Sequence, residues 1–133
     1  MENIIDKVAL IHINNYKILS TISKSKDRYF LPGGKRENNE TDSECLKREI
    51  LEELNVKLID DSITFFGCFE APAYGHSDNV IVRMLCYFAD FTGDLMPNNE
   101  IESFTWLEFK DKEKTSFVDQ LIFDDLHSKG LIR

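Results

Sequence analysis

The hydrophobic positions change period several times along the chain, and each change predicts an element. Val8 to Ile13 is a short apolar run closed by Asn14-Asn15, and Ile18 to Ile22 resumes the β-branched character, which predicts an opening hairpin. Tyr29-Phe30-Leu31 leads into Pro32-Gly33-Gly34, where a fixed φ followed by two permissive residues predicts a turn. From Thr41 the period becomes helical: Leu46, Ile50 and Leu54 recur every four residues and share one face. Both ends of this helix are readable. Thr41 with Glu44 three residues on forms a capping box, and Asn55 stands where a left-handed C′ residue is expected, with Val56 placed to close against Leu51.

Further on, Ile63 to Glu70 reads as a strand ended by Ala71-Pro72-Ala73-Tyr74-Gly75. Val80 to Phe91 is almost continuously apolar apart from Arg83 and Asp90, which predicts a central strand covered on both faces. Ile101 to Phe109 gives a further strand around Trp106. Ser116 to Ser128 has the spacing of a final helix, with Phe117, Leu121 and Leu126 inward and Gly130 as a stop. Two helices and several strands in this order predict an α/β fold in which a sheet lies between helical layers.

At 133 residues the chain accommodates one domain, residues 1–133, with no linker or repeat. No apolar run approaches the ~20 residues of a membrane span, and Met1 to Asp6 is polar and acidic, unlike a signal peptide, so a cytoplasmic protein without a membrane partner is expected. Cys45, Cys68 and Cys86 are odd in number, lack paired spacing and sit in hydrophobic patterns, so they read as reduced core residues. Sixteen basic against 24 acidic residues leave a net charge of -8, which disfavours duplex nucleic acid and points to a small ligand. If that ligand is anionic, a metal must mediate its approach.

The charge is densest between Glu37 and Glu53, where seven carboxylates face only Lys47 and Arg48, a net of -5. On the helix Glu49, Glu52 and Glu53 fall in a wedge of roughly 100°. Taken alone, an acidic run is most often a solvated face. Here Gly34 and Glu40 precede it, and Gly34, Glu40, Arg48, Glu49, Ile50, Glu52, Glu53 and Val56 stand at the spacing G-x5-E-x7-R-E-U-x-E-E-x-G-U, U being a bulky aliphatic residue. That segment resembles the Nudix box, with Asn55 in place of its glycine.

The resemblance, to MutT-like members of the Nudix family, implies an α/β/α sandwich with a mixed β-sheet between helices. It also implies hydrolysis of a diphosphate linkage in a nucleoside diphosphate joined to a group X, a nucleoside triphosphate being the first substrate to test. By similarity, Glu49, Glu52 and Glu53, with the Gly34 carbonyl, are the metal ligands for Mg²⁺, with Mn²⁺ as substitute. Arg48 orients a box carboxylate, and Glu40 is the loop-closing acid. The general base is Glu49 or an acid from a later loop: Glu100, or Glu102 one register away. Gly33, Gly34 and Lys35 lie where phosphates would be cradled, and Tyr74 and Arg83 can stack on or hydrogen-bond a base.

Pro72 and Tyr74 match spacings that mark opposite preferences within the family, for sugar nucleotides or ADP-ribose and for dinucleoside polyphosphates, so they do not choose between them. His76, beside Ser77 and Asp78, can contact a phosphate. A nucleotide-sensing domain without hydrolysis is the competing class, and the intact acids favour catalysis over it. Capped or 5′-triphosphorylated RNA would call for a basic groove, which Lys24, Lys26 and Arg28 would have to supply by folding together. A homodimer is compatible with the chain.

Overall fold

The structure, a computed structural model, describes residues 3–75 and 79–133; His76, Ser77 and Asp78 lie outside the described residues. A mixed four-stranded sheet is its centre, built from β1 (Asn3–Ile11), β4 (Gly33–Lys35), β6 (Thr64–Pro72) and β7 (Val80–Phe88) in the order β4-β1-β7-β6. β1 runs parallel to β7, with Val8 opposite Leu85 and Ala9 opposite Cys86, while β4 and β6 are antiparallel to their neighbours. A second, antiparallel sheet joins β2 (Ile13–Asn14), β3 (Lys17–Ser23) and β9 (Ile101–Leu107). A short pair, β5 (Lys57–Leu58) with β8 (Phe91–Thr92), completes the strands.

The two helices lie on opposite faces of the mixed sheet, because β1 and β7 are apolar on both sides. Val8 and Leu10 pack with Leu46, Ile50 and Leu54 of α1 (Asp42–Leu54). Ala9, Ile11, Val82, Met84 and Cys86 pack with Val118, Ile122, Phe123 and Leu126 of α2 (Phe117–Ser128). Each fully buried Leu, Ile, Val, Phe or Met side chain among these contributes roughly 1.5–3 kcal/mol relative to exposure. The result is the α/β/α sandwich with a mixed sheet, and α1 has the predicted limits. Thr41 Oγ1 accepts from the Glu44 N–H at 3.1 Å, Glu44 Oε1 accepts from the Thr41 N–H at 2.9 Å, and Asn55 is left-handed with φ 64°. No helix among the described residues is long and apolar enough to cross a membrane.

Five expectations are corrected. The first apolar run is not one arm of a hairpin: β1 takes its partners from distant β4 and β7, and the hairpin is β2–β3, turning through Asn15 and Tyr16, both at positive φ. Pro32-Gly33-Gly34 is not a turn but the entry to an edge strand, whose backbone approaches β1 so closely that a Cβ on Gly33 would lie 2.0 Å from the Val8 carbonyl oxygen. Phe117 and Leu121 point outward, 43% and 44% exposed, because the buried stripe of α2 runs through Val118, Ile122 and Leu126. Cys68 is exposed while Cys45 and Cys86 are buried, since Cys68 lies on a strand at the edge of its sheet. Leu51, expected to close against Val56, is 44% exposed, whereas Val56 is buried.

The left-handed cap at Asn55 yields a stability prediction. Asn55→Gly should be neutral or stabilising by less than ~1 kcal/mol, because glycine has no Cβ to strain at positive φ, and Asn55→Ala should cost about 1 kcal/mol, because alanine keeps the Cβ and loses the polar side chain that lets asparagine adopt this conformation. Urea denaturation of the three proteins measures both, and an alanine variant as stable as the parent would contradict the cap.

Candidate functional site

α1 brings its acids to the mixed sheet through β4. The Val8↔Gly34 and Ala9↔Gly33 pairings fix the glycines beside the helix, and a Cβ added to Gly34 would lie 2.3 Å from Glu49 Oε2. A side chain at Gly34 would therefore displace the Glu49 carboxylate. On the other side of Gly34, Cys45 Sγ donates to its carbonyl oxygen at 3.7 Å. The Gly33 N–H donates to Glu53 Oε1 at 3.2 Å, so β4 and the last turn of α1 are joined across the site.

Arg48 organises the surrounding carboxylates. Its Nε and Nη2 donate to the two Glu40 oxygens at 2.7 and 2.9 Å, a bidentate contact that a lysine could not make. Nη1 donates to Glu49 Oε1 at 2.8 Å and to Glu52 Oε2 at 3.4 Å, and Nη2 also reaches the Lys35 carbonyl at 3.1 Å. The guanidinium holds the Glu40 carboxyl down at about 2, helped by the Glu37 N–H. Glu40 thus carries its charge throughout the working range and locks the loop before α1 to the helix.

Glu53 shows the opposite behaviour. Only 6% exposed, it is raised well above the usual carboxylate range, first by burial and then by the neighbouring Glu49 and Glu100, against the lowering effect of the Gly33 N–H. A buried acid beside another acid stays ionised only if a cation joins them.

These residues form one end of a cavity of about 400 Å³ between the two sheets. Gly33, Gly34, Lys35, Glu49, Glu53 and Glu100 line that end, and Tyr74 lines the cavity beside Pro72, so most of the expected residues converge. Glu100, in the turn entering β9, reaches the cavity where Glu102 does not. Two expected residues are placed elsewhere. Arg83 points to the opposite face of β7 from Val82 and Met84, as strand alternation requires, and pairs with Glu70 at 2.8 Å away from the cavity. Glu52 is 48% exposed at its side chain and held by Arg48 outside the cavity lining. Of Lys24, Lys26 and Arg28, only Lys26 reaches the cavity; Arg28 lies over the Tyr74 ring at 4.8 Å.

Among the described residues no three His, Cys, Asp or Glu side chains are arranged to hold an ion by themselves. The donor set nevertheless fits Mg²⁺, which takes one or two carboxylates and fills its octahedron with water and substrate phosphate. Glu49 and Glu53 supply that pair, and the Gly34 cradle leaves the Glu49 carboxylate room that any side chain would occupy.

Several lining residues were not singled out from sequence. Lys7 interrupts the inward series Ile5, Ala9 and Ile11 of β1, a signal visible only once β1 is known to be central. Phe30, Ser116 and Phe117 line the far wall. Ser116, the N-cap of α2, makes no capping bond with its side chain; its buried hydroxyl lies near enough to the Asp119 carboxylate to favour ionisation there, but forms no hydrogen bond of normal geometry.

A family model described as NUDIX domain matches residues 6–124. No curated protein matches the sequence. Solved structures share the fold. The MutT NUDIX hydrolase from Burkholderia pseudomallei is 20% identical, over 93% of this chain and 98% of that one, with a TM-score of 0.76. The MutT protein from Methanosarcina mazei is 16% identical, over 97% and 96%, also at 0.76. A UDP-X diphosphatase is 18% identical, over 98% of this chain and 65% of that one, at 0.71.

Burial of Glu53 predicts a pH dependence of stability without divalent ions. Its native pKa is raised, so the stability it contributes is complete below the unfolded value near 4.5 and is lost as pH rises toward the native value. Glu53→Gln, which keeps the acceptor for the Gly33 N–H, should flatten that decline and be more stable than the parent at pH 8 by about 2 kcal/mol. Thermal melts from pH 4 to 9 in chelator test this, and parallel curves for the two proteins would refute it.

Proposed function

Because the chain belongs to the NUDIX family and is a pyrophosphohydrolase of that kind, we propose that it hydrolyses a diphosphate linkage in a nucleoside diphosphate joined to X, with a nucleoside triphosphate as substrate and Mg²⁺ as cofactor. The observation that carries this reading is the meeting of Glu49, Glu53 and Glu100 with Gly33 and Gly34 at one end of a cavity whose remaining walls are largely apolar. Phosphates fit the acidic, glycine-lined end only with a cation, and a nucleoside fits the rest.

Glu49 and Glu53 would hold the ion, with the Gly34 carbonyl as a further oxygen donor; Glu52, half-exposed beside them on α1, would join them by giving up its contact with Arg48. Bound Mg²⁺ supplies neutralisation of charge on the phosphate oxygens and a site for water. The chain's own groups do the rest. Arg48 fixes Glu49 through Oε1, which leaves Oε2 directed at Gly34. The Gly33 N–H, bound to Glu53, holds that carboxylate in one orientation. Lys35 and Lys26 flank the cavity and attract the anion against the overall charge. A water attacks phosphorus, the P–O bond of the anhydride breaks, and the water's proton passes to Glu49 or Glu100.

The test is a panel of nucleoside triphosphates, dinucleoside polyphosphates, ADP-ribose and other sugar nucleotides, with Mg²⁺ or Mn²⁺ and product identification. At least one should be cleaved within the diphosphate linkage. Glu52→Gln and Glu53→Gln should each lower kcat by about 100-fold or more with the fold retained. Full activity in excess chelator would exclude the metal mechanism. For the base, Glu49→Gln and Glu100→Gln are compared by pH–rate profile: the residue whose loss removes the acidic limb is the base, and an unchanged rate in Glu100→Gln removes Glu100 from the site.

A further inference from the structure

The two faces of β4 carry opposite charge. Gly34 turns toward Glu49 on the α1 side. Lys35, the next residue, alternates to the other face, where it stands directly opposite Lys7 of β1 and both line the cavity. Two ammoniums opposite each other on neighbouring strands repel, and no ion pair among the described residues includes either. Lys7 is half-buried, with its Nζ 5.5 Å from the centre of the Phe30 ring.

Behind Lys7 lies Asp119, in the first turn of α2 and 0% exposed. Its Oδ2 accepts from the Leu31 N–H at 3.0 Å, while Oδ1 has no hydrogen-bond partner. Burial pushes this carboxyl up to about 6, opposed by the Leu31 N–H and by Lys7, which faces it from β1. A buried carboxylate costs stability unless charge and hydrogen bonds serve it, and an asparagine could accept the same bond from Leu31 without that cost. The negative charge therefore acts on Lys7. Asp119 does not line the cavity, so two lysines present themselves there with one carboxylate behind them. An anion on the cavity side completes the group.

Taking the diphosphate reading above as given, we propose that Lys7 and Lys35 form a phosphate-binding subsite on the cavity face of β4, and that Asp119 is the positioning residue that holds the Lys7 ammonium in it. The ligand is the substrate's diphosphate, whose oxygens the lysines take from the side of β4 away from Glu49. An ammonium has three donors, so one directed back toward Asp119 leaves others for the phosphate. Asp119 also holds Leu31, two residues before the Gly33 N–H that binds Glu53. One buried carboxylate thus sets both the lysine and the strand that separates it from the acids. Ammoniums act on phosphate as compact point charges, so this subsite grips the diphosphate whatever base is attached.

The probe is methylenediphosphonate, a diphosphate analogue that water does not cleave. Its binding to the full chain with Mg²⁺ is measured by calorimetry at low and high salt for the parent, Lys7→Met, Lys7→Arg and Asp119→Asn, beside thermal melts and, for each nucleotide cleaved, kcat and KM. Lys7→Met should weaken the probe about tenfold or more and reduce its salt dependence. Lys7→Arg, which keeps the charge, should stay within about threefold of the parent. Asp119→Asn should weaken the probe about threefold or more yet melt at or above the parent temperature, because the amide keeps the Leu31 bond without a buried charge. A merely structural acid would lose stability and binding together. KM for nucleotides should follow the probe, with kcat altered less.

A parent that does not bind the probe, a Lys7→Met variant that binds it as the parent does, or a Lys7→Arg variant no better than Lys7→Met overturns the subsite. An Asp119→Asn variant with parental affinity overturns the positioning role. Probe binding that depends on Lys7 while no nucleotide is hydrolysed would refute the catalytic reading and leave the subsite standing. Hydrolysis whose KM is unmoved by Lys7→Met would do the reverse.

Discussion

A single guanidinium sets the geometry on which the rest of the site depends. Arg48 is the one base within reach of Glu40, Glu49 and Glu52 among the described ion pairs, and it also binds the Lys35 carbonyl. It therefore ties together the loop before α1, the helix itself and the end of β4. Charge repulsion along the helix would otherwise spread those acids apart. Instead the bidentate contact to Glu40 fixes Arg48, and the fixed Arg48 fixes Glu49. The acidic end of the cavity is thus held by an exchange of charge, while the docking of α1 is left to Leu46, Ile50 and Leu54 on its other face.

That division explains how one helix can be well anchored and still carry an unfavourable group. Glu53 sits beside Leu54 at the buried edge of α1, where its carboxylate accepts from the Gly33 N–H. Its burial opposes ionisation, and the neighbouring acids deepen the opposition. The apolar face offsets this cost, and β4 contributes by bringing its backbone close enough for the N–H to reach. A side chain at Gly33 would push that strand away from β1, and one at Gly34 would displace the Glu49 carboxylate. The two glycines are therefore constraints of packing rather than of flexibility.

The same fact shows where sequence reading stops. The ends of α1 were legible because caps act locally: Thr41, Glu44 and Asn55 satisfy backbone groups within a few residues of themselves. The acidic wedge was legible because it needs only helical spacing and the pattern from Gly34 to Val56. β7 was legible because burial on both faces leaves a continuous apolar run. Pro32-Gly33-Gly34 misled because its local signal is a turn, whereas its strand state is imposed by β1 from more than twenty residues upstream. Phe117 and Leu121 misled for a similar reason: several apolar stripes were available on α2, and the position of the sheet chose the one through Val118 and Ile122.

Lys7 is the sharpest case of this limit. Inside β1 its neighbours alternate between two cores, so its side chain shares a face with Ile5, Ala9 and Ile11 and enters the space between the sheets. Read along the chain it is one lysine near the start of an apolar run, indistinguishable from a solvated strand end. Its placement follows from two pairings formed with distant segments, β4 on one side and β7 on the other, and from β3 of the second sheet across the gap, where Thr21 and Ser23 line the same cavity. The part of the acidic end that runs from Gly34 through α1 could be found by spacing, whereas Glu100 joins it from the turn before β9. The apolar end collects single residues from β1, β3, β7 and the start of α2, and only the completed sheet brings them together. Spacing along the chain therefore finds the carboxylates of α1, while the residues that complete the cavity become visible only in the fold.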